Sequence, residues 1–262
     1  METALNKIFN EDCFQTMKHR IGSNSVDVIL TSPPYNTSRK GCSLTDGCAN
    51  IRYDVYDDRR SDEDYTQWTV ELFQQFDKVL KPNGCVLYNL SYSSEKTHLM
   101  WDVVSAIQRG TSFIVADCIV WKKPTTSPNS CSMNKLTRIV EYIFVFCRRD
   151  EFMSFKCYKG ISSVRKTGQI AYHNVVNLIE APCNDGANGI HFATFSTVLV
   201  RKLLEIYTTQ NDVVYDPFMG IGTTAIACAV ENRRYIGSEI SERYCKYAEK
   251  RISIETLQLK LF

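Results

Sequence analysis

The chain contains no uninterrupted apolar stretch of roughly 18 residues, the length a membrane-spanning helix needs. Nor does its N-terminus run from a basic region into a signal-like apolar segment. Both absences predict a soluble, intracellular, cytoplasmic protein with no membrane partner. No Cys-x-x-Cys pair occurs among the eleven cysteines, and their odd number favours free thiols in a reducing compartment over a disulfide framework or a zinc site. The four histidines are scattered, so no metal is expected. Net charge is nearly absent as well, at +2 over 262 residues, so any electrostatic role must come from how charge is distributed. No break in composition divides the chain, and 44% hydrophobic residues are enough to bury the core of one large domain spanning 1–262.

What is present is an alternation of strand and helix signals, the pattern of a mostly parallel sheet covered on both faces. A strand edge begins at Ile8 and Phe9, a short helix spans Phe14 to His19, and a strand runs from Val26 to Leu30. The polar stretch 36–64 has little periodicity and is long enough to be a functional loop. Trp68, Leu72, Phe76 and Leu80 lie on one face of a helix from Tyr65 to Leu80, which stops at the turn Lys81-Pro82-Asn83-Gly84. The aromatic stripe on that helix reads as core packing. Strands follow at Cys85 to Leu90 and Phe113 to Trp121, with a helix from Thr97 to Arg109 between them.

Two segments carry chemistry. In Asp27-Val28-Ile29-Leu30-Thr31-Ser32-Pro33-Pro34-Tyr35, an apolar strand runs into a proline-fixed loop. The two prolines lock φ and lack N–H donors, which keeps the Ser32 and Pro33 carbonyls out of a helix and available as acceptors. An exocyclic amino group needs such acceptors, and Tyr35 offers a flat face for a nucleobase. Alone, the segment reads equally well as an ordinary turn. Far down the chain, Val213-Val214-Tyr215-Asp216-Pro217-Phe218-Met219-Gly220-Ile221-Gly222-Thr223-Thr224 reads as a strand and a glycine turn opening into a helix. Gly220 and Gly222 are expected to let a ligand approach the backbone. Glu239 follows Asp216 by 23 residues, close to the spacing of about 20 for an acid that holds ribose hydroxyls. Ala225 stands where a third glycine would complete Gly-x-Gly-x-x-Gly, which argues against a dinucleotide pyrophosphate.

Together, Thr31-Ser32-Pro33-Pro34-Tyr35 and Asp216-Pro217-Phe218-Met219-Gly220-Ile221-Gly222 resemble the catalytic and S-adenosylmethionine motifs of the DNA amino-methyltransferases, which methylate cytosine N4 or adenine N6. With the catalytic motif first, the order is similar to the permuted β group found in bacterial restriction–modification systems. Asn10-Glu11-Asp12-Cys13 resembles the family's segment beside the cofactor adenine. His191-Phe192-Ala193-Thr194-Phe195-Ser196 resembles its His-x-Ala-Thr-Phe-Pro segment, with Ser196 in place of proline. Arg138 to Arg148 looks like a late core strand of the family.

The resemblance implies a Rossmann-like α/β fold of S-adenosylmethionine-dependent methyltransferases in circularly permuted order. Its cofactor would be held by Asp12, Cys13, Asp216, Phe218, Gly220, Gly222, Thr223 and Glu239. It implies catalysis by Ser32, Pro33, Pro34 and Tyr35, with the Ser32 hydroxyl and Pro33 carbonyl taking the two amino hydrogens while Tyr35 stacks on the flipped base. Serine before Pro-Pro is more typical of the cytosine-N4 members, so cytosine N4 is favoured and adenine N6 stays open. Double-stranded DNA is the implied partner, with a cognate restriction endonuclease and a second subunit of a homodimer as further ones.

Ten basic residues against three acids between Lys122 and Lys166 give that stretch a charge of +7 and leave −5 elsewhere. Such asymmetry suits phosphate binding on one face, or a solvated basic surface. Lys122, Lys123, Arg148 and Arg149, with Arg39 from the polar loop, are the candidate DNA contacts. Residues 152–190 occupy the family's target-recognition position, and base readout is expected there. Ala181-Pro182-Cys183 superficially resembles the nucleophile of cytosine-C5 enzymes, but the cofactor motif lies on the wrong side of it, so Cys183 is read as a loop thiol. A nicotinamide oxidoreductase would leave the Ser32 loop without a role. A DNA-binding protein that has lost activity would not be expected to keep both motifs, and a methyltransferase of RNA or protein remains an alternative.

Overall fold

The computed structural model describes residues 3–36, 60–93, 96–126, 128, 133–183 and 195–259. In chain order the elements are β1 (Lys7–Phe9), α1 (Cys13–His19), β2 (Val26–Thr31), α2 (Asp62–Val79), β3 (Leu80–Leu90), α3 (Leu99–Gly110), β4 (Phe113–Lys122) and β5 (Val140–Arg148). After these come β6 (Ile161–Val164), β7 (Ile170–Tyr172), β8 (Leu178–Glu180), α4 (Thr197–Tyr207), β9 (Val213–Asp216), α5 (Thr223–Val230), β10 (Arg234–Ser238) and α6 (Glu242–Leu259). Eight strands form one sheet in the order β1-β10-β9-β2-β3-β5-β4-β8. Every neighbouring pair is parallel except the two made by β5, which is antiparallel to both β3 and β4.

The central strands read as continuous apolar runs because both faces of the sheet are covered. Successive side chains of β2 go to opposite sides: Ile29 packs with Leu72, Phe73 and Phe76 of α2, whereas Val28 and Leu30 pack with Leu199, Val200 and Leu203 of α4. Helices α1 to α3 therefore cover one face and α4 to α6 the other. Among the described residues, no helix is long and apolar enough to cross a membrane, and no cluster of three or more His, Cys, Asp or Glu could hold a metal ion. The eight described cysteines are all unpaired thiols.

Two expectations need correction. Helix α2 starts earlier than Tyr65, because Ser61 caps it through Asp64 N and three acids, Asp62, Glu63 and Asp64, sit favourably at the positive end of its dipole. Those acids were assigned to the loop 36–64, of which residues 37–59 lie outside the described residues. The turn at Lys81 to Gly84 is an excursion within β3: Val26 pairs with Leu80 and Val28 with Cys85, so four residues bulge out between them. Gly84 is required there, since a Cβ would fall 2.7 Å from Asp27 O. The segment 152–190 contributes three strands. Its strands β6 and β7 form a separate hairpin, but β8 joins the main sheet beside β4.

Candidate active site

From β2 the chain steps to β3 on one side, whereas from β9 it steps to β10 on the other. The crevice beyond the carboxyl ends of β2 and β9 is thus the switch point of an open α/β sheet, where such folds bind ligands. One hydrogen bond closes it: Thr31 Oγ1, the last residue of β2, donates to Asp216 Oδ1, the last of β9, at 2.7 Å. Asp216 also accepts from Thr224 Oγ1 at 2.5 Å and from Phe218 N at 3.0 Å, which fixes the glycine turn against the strand end. The carboxyl is fully enclosed. Burial raises its pKa to about 6, although the hydrogen bonds from Thr224, Thr31 and Phe218 oppose that shift.

Beyond this bond lies an open cavity with about 940 Å³ of empty space counting its mouth. Asp12, Cys13, Ser32, Pro34, Asp216, Phe218, Gly220, Thr223 and Glu239 all line it. Residues from opposite ends of the chain thus meet in one site. Asp12 caps α1 by accepting from Phe14 N at 2.8 Å, and burial pushes the neighbouring Cys13 thiol far up, so it is no nucleophile. Glu239 sits just after β10, where its carboxylate accepts from Gly220 N and Ser241 N, both at 2.8 Å. Asn10 donates to the Glu239 and Ile240 carbonyls and ties the β1 loop to the β10 loop.

Gly222 does not face the cavity. It has φ +85°, and a Cβ there would come within 2.9 Å of Ala248 Cβ, so this glycine serves a left-handed turn and the close approach of α6. Gly220, also at positive φ, is the one that lines the site. Ser196 caps α4 through Leu199 N, a role that accounts for a residue other than proline at that position. Phe195 reaches the cavity, whereas His191 to Thr194 lie outside the described residues. Sequence reasoning missed Arg60 and Trp68: the guanidinium lies 5.0 Å above the Trp68 ring, and that ring packs at 5.8 Å against Phe218. Trp68 was read only as core, because its helical spacing carries no sign of the cavity beside it.

Tyr35 is placed differently from a free stacking platform. Its ring packs half-buried against the core, and its hydroxyl lies 2.9 Å from Ser32 Oγ while donating to Glu141 Oε2 at 3.1 Å. Asn89 Nδ2 donates to the Tyr35 hydroxyl at 2.7 Å and to Glu141 Oε2 at 2.9 Å, and lies 3.3 Å from Ser32 Oγ. Lys123 closes the cluster with an ion pair of 2.5 Å to Glu141 Oε1. Asn89 and Glu141 gave no signal in the sequence, because their strands run through the core.

Of the candidate DNA contacts, Arg39 lies outside the described residues. Arg148 is committed to the fold: it is largely buried, pairs with Asp77 at 2.5 Å and donates to the carbonyls of Asp77, Leu80 and Lys81. Engaged in this way, its guanidinium is turned into the fold rather than toward a phosphate. Lys122 is half-exposed and pairs loosely with Glu180, and Arg149 is exposed and donates to Gln108 O. Cys183 donates to Thr125 O, away from the cavity.

Known proteins resemble this chain in sequence and in fold. The N6/N4 DNA methylase family matches residues 26–250. Type II methyltransferase M.BglII of Bacillus subtilis is 28% identical over 276 residues, covering 96% of this chain and 70% of its own. Orphan methyltransferase M.BamHII of Bacillus amyloliquefaciens is 26% identical over 270 residues, 90% of this chain and 92% of its own. Among solved structures, the cytosine-N4-specific PvuII DNA methyltransferase superimposes with a TM-score of 0.71 at 17% identity, covering 98% of this chain and 93% of its own. A DNA modification methylase of Thermus thermophilus, solved with S-adenosyl-L-methionine, gives 0.63 at 19% identity, covering 95% and 94%. The fold is that of these enzymes, and with the family match spanning most of its length, the chain belongs to the N6/N4 DNA methylases, the DNA amino-methyltransferases.

Proposed function

We propose that the protein transfers a methyl group from S-adenosylmethionine to the exocyclic amino group of a base extruded from double-stranded DNA, with cytosine N4 as the acceptor. The observation that carries this reading is that Ser32 and Pro34 of the acceptor loop line the same cavity as Asp216, Phe218 and Glu239. A donor molecule and a base could meet there. The cavity residues suit this cofactor: Glu239 for ribose hydroxyls, Phe218 and Trp68 as aromatic walls, and a buried acid at the end of β9. When bound, S-adenosylmethionine supplies an electrophilic sulfonium methyl.

The protein's own residues supply position. An amino nitrogen on a nucleobase is a poor nucleophile because its lone pair is delocalised into the ring. Ser32 Oγ and the Pro33 carbonyl accept its two hydrogens, turning the nitrogen toward tetrahedral geometry and aiming the lone pair. With S-adenosylmethionine bound, the nitrogen would displace the methyl group from sulfur in line, the N–C bond forming as the C–S bond breaks and the nitrogen giving up one of its protons to solvent, with no covalent enzyme intermediate. Cytosine is favoured over adenine by the serine that precedes Pro33-Pro34, and PvuII methyltransferase, a fold neighbour, is cytosine-N4-specific. Adenine N6 is the second reading, since the family includes both reactions.

For DNA, the β6–β7 hairpin supports base readout within residues 152–190. A two-stranded ribbon fits the major groove, and this one carries Arg165 and Lys166 at its tip between exposed strands. Lys122 and Arg149 are the remaining phosphate candidates described, Lys123 being mostly buried in its ion pair with Glu141, and Arg39 belongs with them by sequence alone. Nucleoside analysis of DNA from cells expressing the chain tests the whole reading. N4-methylcytosine that disappears with Ser32→Ala supports it, N6-methyladenine moves the acceptor to adenine, and neither base modified refutes it.

A further inference from the structure

Ser32 serves the proposed reaction only if its oxygen presents a lone pair to the incoming amino group. A hydroxyl can equally turn its proton outward, and then it would repel that group. Nothing in the Ser32-Pro33-Pro34-Tyr35 loop decides between the two. The decision comes from the far side of the cluster.

Glu141 Oε2 is a carboxylate oxygen and can only accept, so the Tyr35 hydroxyl, 3.1 Å away, donates to it. Tyrosine has a single hydroxyl hydrogen. Once that hydrogen points to Glu141, the 2.9 Å contact between Ser32 Oγ and the Tyr35 hydroxyl must be a donation from Ser32. The Ser32 proton is thereby turned into the protein, and with Asn89 Nδ2 donating to the same oxygen at 3.3 Å, one lone pair is left for the cavity that Ser32 lines. Asn89 enforces the same direction. Its Nδ2 makes its two closest approaches to acceptors, 2.7 Å to the Tyr35 hydroxyl and 2.9 Å to Glu141 Oε2, while its Oδ1 is buried without a hydrogen-bond partner. Reversing that amide would set Oδ1 against the carboxylate, so Glu141 also fixes the orientation of Asn89. Lys123, at 2.5 Å from Oε1, keeps the charge of this mostly buried carboxylate compensated.

We propose that Glu141, held by Lys123, is a positioning residue that orients the Ser32 hydroxyl through Tyr35 and so makes Ser32 an obligate hydrogen-bond acceptor. It rests on the reading of the Ser32 loop as the amino-group acceptor. Glu141 needs no contact with the base or the cofactor.

The test is single-turnover methylation of unmethylated duplex DNA of mixed sequence with saturating S-adenosylmethionine. Glu141→Gln and Tyr35→Phe each break the chain while keeping size and shape. Each should slow methyl transfer by about tenfold to a hundredfold, with cofactor and DNA affinities held within about twofold. The double variant should be no slower than the slower single variant, because both changes remove the same orientation. Either single variant at the wild-type rate, multiplied losses in the double variant, or a rate loss matched by a loss of cofactor affinity would overturn the proposal. Ser32→Ala separates the two levels. A slow Ser32→Ala beside a fast Tyr35→Phe removes only the role of Glu141, whereas a fully active Ser32→Ala removes the acceptor loop itself.

Discussion

Asp216→Asn should stabilise the protein, and the gain should depend on pH. In the fold this carboxyl is wholly enclosed and its pKa is raised to about 6, from 3.8 for the free side chain. The native state therefore binds a proton between about pH 4 and 6 that the unfolded chain does not. Such a group favours folding below its unfolded pKa, and that advantage is lost as pH rises through the folded value. Above about pH 7 the fold carries the full cost of ionising a buried acid. A shift of about 2 units at 1.36 kcal/mol each amounts to about 3 kcal/mol. Asparagine keeps the geometry: its Oδ1 accepts from Thr31 and Phe218 N as Asp216 Oδ1 does, and the Thr224 hydroxyl turns from donor to acceptor opposite the new amide. Urea unfolding of both proteins without cofactor, at intervals from pH 4.5 to 8, reads the difference. The variant's advantage should grow through the acidic range and level off near 3 kcal/mol, equivalent to a melting-temperature rise of about 6–12 °C. A variant no more stable at pH 8, or an advantage independent of pH, would refute the argument that Asp216 is ionised at a cost to the fold.

Glu239→Ala should weaken S-adenosylmethionine binding on the order of tenfold to a hundredfold, the effect of losing one hydrogen bond to a charged group, and calorimetric titration would show it. Arg148→Ala should lower stability by about 1–3 kcal/mol, since it takes the donor from three carbonyls, yet leave the salt dependence of DNA binding unchanged. A flatter salt slope would restore Arg148 as a phosphate contact. Gly222→Ala should cost about 1–3 kcal/mol through its left-handed backbone and the clash with Ala248, measured by the same urea unfolding.

The core strands were legible because burial on both faces leaves a strong local mark, as in Val26 to Leu30 and Val213 to Tyr215. Strand β8 was not. It has three residues, only Ile179 among them is buried, and its membership in the sheet is decided by pairing with β4 some sixty residues earlier. The bulge in β3 is half-legible: Pro82-Asn83-Gly84 announces a turn, but only the ladder to β2 shows that the strand resumes on the same line after it.

The site divides along the same boundary between local and distant causes. Both motif loops could be read because each function is written in consecutive residues, and the fold needed only to bring two strand ends together, which Thr31 and Asp216 record. Counting charge over Lys122 to Lys166 failed for Arg148 because a window along the chain cannot see Asp77, which arrives from α2. The same blindness hid the direction of the Ser32 hydroxyl. That direction is set at Glu141, more than a hundred residues away, by way of Tyr35. Residue type along the sequence identifies which atoms are able to accept a hydrogen bond. Which of them must accept is fixed only when the sheet lays β2, β3 and β5 side by side, so that an acceptor-only oxygen meets a chain of hydroxyls able to turn either way.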